Sequence, residues 1–331
     1  MALIVIPHFR LGGSAVAVVT ALMLLLPGTA LASTRGVDLR VVNPAGKTLA
    51  EQRQYTGTVK IKADRQANCF GQGTGGSGDR VRVRGATALG AVRDGLARDR
   101  DLRPLSVTDA FLDDGFGLGV CGIGGFESQG SSFWYVKSDH VGSQVSGSQL
   151  RLNPGEDVLW YLTPNFPPPA ELRLKAPARA QPGVPYQVTV YSYADDGTRS
   201  AAAGAAVTGA AATTGVGGHT MVTSTEAGTD RLRATHGEDI PSNRVKVCVD
   251  PDPSRCPRVH GKRIVGSRRG DQIRGTRGWD AIKASGGGDR VNLRRGGRDR
   301  VNCGRGHDKV IVERDDHNDR IAPSCERVVK R

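Results

Sequence analysis

Residues 56–63 (TGTVKIKA) and 79–84 (DRVRVR) alternate apolar with polar side chains, which is the period of half-buried strands. The period then changes. In residues 86–97 (ATALGAVRDGLA), Leu89, Val92 and Leu96 fall at i, i+3 and i+7, with Thr87 available as an N-cap. That spacing predicts one amphipathic helix. Short strand patterns return around Phe126 and in residues 132–137 (SFWYVK), 149–152 and 156–162 (EDVLWYL). One helix among several short strands gives residues 36–165 an α+β plan.

A stiff proline segment, residues 164–169 (PNFPPP), follows. Beyond it, in the domain expected over residues 166–249, no helical period occurs. The strand candidates are ELRLKA, YQVTVYSY, the stretch around Val207, HTMVTS, RLRAT and NRVKVCV, parted by turn signals such as residues 194–197 (ADDG). About seven short strands at such intervals predict a β-sandwich. Residues 250–260 read as a linker that opens on DPDPSRCP.

From residue 261 to 331 the pattern has a third period. An aspartate is followed two residues later by Ile or Val at Asp271/Ile273, Asp280/Ile282, Asp289/Val291, Asp299/Val301, Asp308/Val310 and Asp319/Ile321. A period near nine fits neither a helix nor a plain strand. It predicts a chain coiled into stacked short strands, a β-roll or β-helix, with the aliphatic residues inside and a carboxylate at each corner. The fold class expected is therefore mainly β and multidomain: an α+β domain, a β-sandwich and a short β-roll tail.

Composition narrows the setting. Arg10, the apolar run of residues 15–26 and the small-x-small site Ala30-Leu31-Ala32 make residues 1–32 a secretory signal; the competing reading is a retained anchor. No second apolar run of spanning length follows. Six cysteines without any C-x-x-C spacing suit disulfides in an oxidising compartment rather than a metal site, and proximity suggests the pairs Cys69–Cys121, Cys248–Cys256 and Cys303–Cys325. The formal charge of +13 is uneven, because residues 254–331 hold 21 Lys/Arg against 10 Asp/Glu, a net of 21 − 10 = +11. The expected setting is secreted or cell-surface.

Three resemblances follow from these segments. Residues 75–163 resemble the β-domain at the C-terminus of transcobalamin-like proteins, through the single helix, the entry at Gly122–Phe126, the Phe133-Trp134-Tyr135 strand and the turn at residues 153–157 leading to Trp160-Tyr161. That resemblance implies a β-grasp-like fold. The family's corrinoid ligand is not carried over, since its α-helical partner domain is missing here. Residues 170–249 resemble a bacterial immunoglobulin-like domain, commonly a spacer in surface proteins. The tail resembles a degenerate RTX, or haemolysin-type, calcium repeat: residues 275–282 and 304–310 keep two consensus glycines each, and Gly287 and Gly297 precede Asp289 and Asp299.

The RTX resemblance makes Asp271, Asp280, Asp289, Asp299 and Asp308 candidate ligands for weak calcium binding, on the order of millimolar. The plainer reading has these aspartates pair with arginines and cap their own turns. Electrostatics oppose calcium, because Arg268, Arg269, Arg277, Arg294 and Arg295 sit in the ligand loops. Those same arginines are candidates for an anionic cell-surface or wall polymer, against a merely solvated charged face. Specific nucleic-acid binding lacks the aromatic interleaving it needs. Two lone G-x-G-x-x-G matches, starting at Gly71 and Gly117, read as loops. Residues 315–319 (DDHND) read as a polar turn ahead of a metal site. No nucleophile elbow and no H-E-x-x-H occurs. The expectation is an exported, non-enzymatic surface or matrix binding protein; the alternatives are a calcium-binding secreted protein and an enzyme with an unrecognised active site.

Overall fold

A computed structural model describes residues 34–293, 297–314 and 318–331, so the expected secretory signal of residues 1–32 lies outside the described residues. The molecule is mainly β, built from several separate sheets and a single α-helix among the described residues. The first domain contains β1 (Arg35–Val42), β2 (Thr48–Thr56), β3 (Val59–Lys62), β4 (Arg80–Val83), α1 (Ala88–Gly95), β5 (Leu105–Thr108), β6 (Gly119–Ile123), β7 (Phe126–Glu127), β8 (Phe133–Ser138), β9 (Val141–Gly142) and β10 (Asp157–Thr163). The helix starts where the sequence put its cap: the Thr87 hydroxyl accepts the Gly90 N–H at 3.0 Å. It packs on β1, β2 and β3, and its Ala88 carbonyl accepts the Trp160 indole N–H of β10; the sheet order is β2-β1-β10-β8-β9, with β1 and β10 parallel.

Side-chain alternation on β8 and β10 assigns the aromatic residues. Trp134 and Trp160 point into the core beneath α1. Tyr135 and Tyr161 point to the opposite face, where they meet the second domain.

The second domain follows with β11 (Glu171–Lys175), β12 (Arg179–Ala180), β13 (Tyr186–Tyr193), β14 (Arg199–Ala201), β15 (Ala206–Val207), β16 (His219–Val222), β17 (Gly228–Leu232), β18 (Ala234–Thr235) and β19 (Val245–Val249). Its sheets enclose one aliphatic core that includes Leu172, Val188, Val190 and Val247. The two short strands β12 and β14 carry no periodic signal in the sequence. A buried network joins this domain to the first. The Arg40 guanidinium pairs with Glu171, whose other oxygen lies 2.9 Å from His140 Nδ1, and the fully buried Lys137 donates to the Ala194 carbonyl at 3.0 Å. Burial alone would raise the Glu171 carboxyl, but the charges of Arg40 and His140 hold it below the usual range.

The tail comprises β20 (Arg263–Val265), β21 (Gln272–Arg274), β22 (Ala281–Lys283), β23 (Arg290–Asn292), β24 (Arg300–Asn302), β25 (Lys309–Val312), β26 (Arg320–Ile321) and β27 (Arg327–Lys330). Alternate strands stack in parallel. β20, β22, β24 and β26 form one sheet, and β21, β23, β25 and β27 form the other. One full turn therefore spans two repeats, and the aspartates form two rows instead of one. Ile273, Ile282, Val291, Val301 and Val310 are buried, and Ile321 packs half-buried against the same core. Successive turns approach closely; a Cβ on Gly306 (φ +138°) would collide with the carbonyl oxygen of Gly287 one turn back.

The tail is not a separate bead. β20 pairs in parallel with β2, Arg53 opposite Ile264 and Gln54 opposite Val265. The first domain's sheet thereby runs on into the solenoid as nine strands, β26-β24-β22-β20-β2-β1-β10-β8-β9. Tyr55 of β2 joins the solenoid core. The three disulfides are Cys69–Cys121, Cys248–Cys256 and Cys303–Cys325, the pairs that proximity suggested.

Candidate polyanion-binding face

The aspartates first. Asp271, Asp280, Asp289, Asp299 and Asp308 are all buried, none more than 2 % exposed. Four of these five carboxylates, all but that of Asp271, serve the preceding turn. Asp280 Oδ1 accepts the Lys262 N–H at 2.7 Å and Asp299 Oδ1 the Asp280 N–H at 2.8 Å. In the other row Asp289 accepts the Asp271 N–H, Asp308 the Asp289 N–H, and Glu326 the Asp308 N–H, each at 2.8 Å. At the first corner Ser267 donates its N–H and hydroxyl to Asp271. These carboxylates act as acceptors for backbone donors that the tight corners leave without strand partners.

Burial raises two carboxyls of this second row. Burial pushes the Asp289 carboxyl up to about 8; the Asp271 N–H opposes this, and the Asp271 and Asp308 charges add to it. Burial pushes Asp271 up to about 6, against hydrogen bonds from Thr34 and Ser267.

Calcium sites require six to eight oxygens, several of them carboxylate. Among the described residues no three acidic, histidine or cysteine side chains gather closely enough to hold a metal ion. Asp289 and Asp308 each leave one buried oxygen, Oδ2, without a hydrogen-bond partner, while Oδ1 is taken by backbone. One orphan oxygen per turn, beside an oxygen already taken by backbone, does not fit a calcium cage as arranged. Asp315, Asp316 and His317 lie outside the described residues.

The arginines singled out from the loops separate in the structure. Arg268 and Arg277 are exposed, and Arg294 and Arg295 lie outside the described residues. Arg269 docks the tail: its guanidinium donates to Asp94 at 2.8 Å and to the Thr58 carbonyl at 2.7 Å. Lys262 and Arg263 act alike, reaching Asp38 at 2.6 Å and Asp99 at 3.0 Å. These cations join the tail to the first domain and are not offered to a ligand.

Loop position does not identify the cations that do line up. Between each acid and its aliphatic residue stands one outward-facing residue, and in the later repeats it is basic: Arg290, Arg300, Lys309, Arg320 and Arg327. Parallel register stacks them. Arg290 lies opposite Lys309 and Lys309 opposite Arg327, so three cations follow one another at the roughly 4.8 Å spacing of adjacent strands. On the other sheet Arg300 stacks on Arg320. Among the described residues, Arg290, Lys309 and Arg327 have no ion-pair partner. The Arg327 charge, slight burial, and then Arg290 and Arg331 pull the Lys309 ammonium below the usual lysine range. The signal for this column was present in the sequence, but only a strand register of two repeats per turn brings it together.

No protein-family model matches the chain, and no curated protein matches it. Disulfides and the lack, among described residues, of any helix long and apolar enough to cross a membrane accord with a disulfide-bonded, mainly β protein.

Proposed function

We propose that this is an exported, non-enzymatic binding protein whose solenoid tail contacts an anionic polymer of a cell surface or wall. The observation that carries the reading is the column Arg290, Lys309 and Arg327, three stacked cations without a described acidic partner. A row of like charges held rigidly at strand spacing is costly unless counter-charge is supplied, and a polymer supplies it along the whole row while releasing its own counterions. The aspartates do not relieve the column, because they face the corners and accept backbone N–H groups. The first two domains, read as β-grasp-like and immunoglobulin-like, would then serve as the platform that presents the tail.

The test is binding of the purified protein to a phosphodiester wall polymer and, separately, to a polyuronate, each at two salt concentrations. Affinity should fall steeply with salt. The triple variant Arg290→Gln/Lys309→Gln/Arg327→Gln should weaken binding and flatten the salt slope by about one for each cation removed. Equal binding by variant and parent would remove this reading. Tight calcium uptake without polymer binding would favour the alternative of a calcium-binding secreted protein.

A further inference from the structure

Three of the chain's seven phenylalanines, Phe70, Phe111 and Phe116, lie on two neighbouring loops at one end of the first domain. Phe70 meets Phe111 edge-on at 5.4 Å, and the Phe116 N–H bonds the Phe111 carbonyl. The loops are fixed in place. Cys69–Cys121 ties one of them to β6, and Ser77 donates its N–H and hydroxyl to Asp109 at 2.7 and 2.6 Å. Despite that order the apolar groups face water: Phe70 is 49 % exposed, Phe116 69 % and Leu112 38 %. Asp113 and Asp114 stand exposed among them and form no ion pair with a described residue. An ordered, exposed aromatic patch in a chain this poor in aromatics marks an interaction surface.

The opposite chemistry occurs on the last solenoid turn. Val328 occupies the inward column of Ile273, Val291 and Val310, which are fully buried, yet it is 45 % exposed. β27 pairs with β25 alone, so no described strand covers Val328. Arg327, Lys330 and Arg331 flank it. One surface is apolar with acids, the other apolar with bases, and both remain exposed in the same molecule, so neither covers the other within one chain.

We propose that the aromatic tip of one copy docks on the open solenoid end of a second copy, giving head-to-tail association. The two surfaces differ, so the contact is heterologous and propagates instead of closing at a dimer. Each patch is far smaller than the roughly 1,600 Å² of a stable interface, so association is weak and favoured at low salt. This inference goes beyond the polymer reading and does not depend on it.

Sedimentation of the purified protein over a concentration series, at low and high salt, tests it. The mass should climb past that of a dimer at low salt and return to monomer at high salt. Two exposed-site variants keep the fold out of question: Leu112→Ser/Phe116→Ser at the tip and Val328→Ser/Lys330→Glu at the solenoid end. Each alone should stay monomeric. Their equimolar mixture retains one good tip and one good end, and should stop at dimers. A protein monomeric at its highest soluble concentration overturns the proposal, as do variants that assemble like the parent or a mixture that fails to pair. Tip-dependent co-sedimentation of a monomeric protein with phosphatidylcholine vesicles would overturn it in favour of a lipid-docking face. Polymer binding should persist in the tip variant, which separates a failure here from a failure of the polymer reading.

Discussion

At the scale of single residues, Asp289 shows what burial does to a repeat aspartate. In the folded chain its carboxyl holds a proton up to about pH 8, while in the unfolded chain it ionises near the ordinary value of 3.8. Between those values the unfolded chain binds fewer protons, so stability falls as pH rises. The contribution is fully present below about pH 4 and is lost on approach to pH 8. Asp271 behaves the same way over a narrower window, up to about 6. The Asp289→Asn variant keeps an oxygen for the Asp271 N–H but cannot ionise. Thermal melting from pH 5 to 8.5 should therefore show a steeper decline for the parent than for the variant. Coincident profiles would place ionised aspartate in the folded corner.

At the scale of elements, two neighbouring loop arginines should behave differently. Arg269 is the partner of Asp94, a carboxyl that is 5 % exposed and raised by burial against the pull of that guanidinium. Removing Arg269 leaves the buried acid uncompensated; with Arg269 itself a third exposed, the cost should be about 1–3 kcal/mol. Arg277 lies exposed, and its loss should stay within about 0.5 kcal/mol. Denaturant unfolding of Arg269→Ala and Arg277→Ala compares them directly, and equal midpoints would mean that the Arg269–Asp94 pair does not hold the tail. Elements defined by strong periods were legible. Thr87 and the Leu89/Val92/Leu96 face set the helix, and Val188 and Val190 set β13. Strands β12 and β14 were not, because two or three residues offer too few positions to show alternation.

At the scale of the whole molecule, the tail and the first domain share one sheet. Deleting residues 261–331 would bare the edge of β2, strip Tyr55 of its solenoid neighbours, and leave Asp94 and Asp99 without their tail partners. An exposed edge strand invites pairing with another chain. The truncated protein should melt below the parent in calorimetry and self-associate on standing. An unchanged melting temperature would mean that the nine-stranded sheet contributes little to the first domain. The solenoid is anchored at one end by β2 and tied near the other by Cys303–Cys325, which closes a loop of 22 residues and contributes roughly 3 kcal/mol.

By itself the sequence determined the mainly β class, the helix and its cap, and the row of aliphatic residues that fills the solenoid, and it suggested the cysteine pairs that the structure forms. Each of these depends on local spacing: a side chain's face follows from its position in a short period, and nearby cysteines meet first. Tertiary structure decided the rest. Nine-residue repeats do not say how many make a turn, so the split of the aspartates into two buried rows became visible only once β21, β23, β25 and β27 stacked. The same stacking turned Arg290, Lys309 and Arg327, each ordinary in its own repeat, into one column of charge. The seating of Arg269 on Asp94, 175 residues away in the chain, depends on how two domains meet. Long-range register and docking are set by the summed packing of many side chains, and no single stretch of chain encodes them.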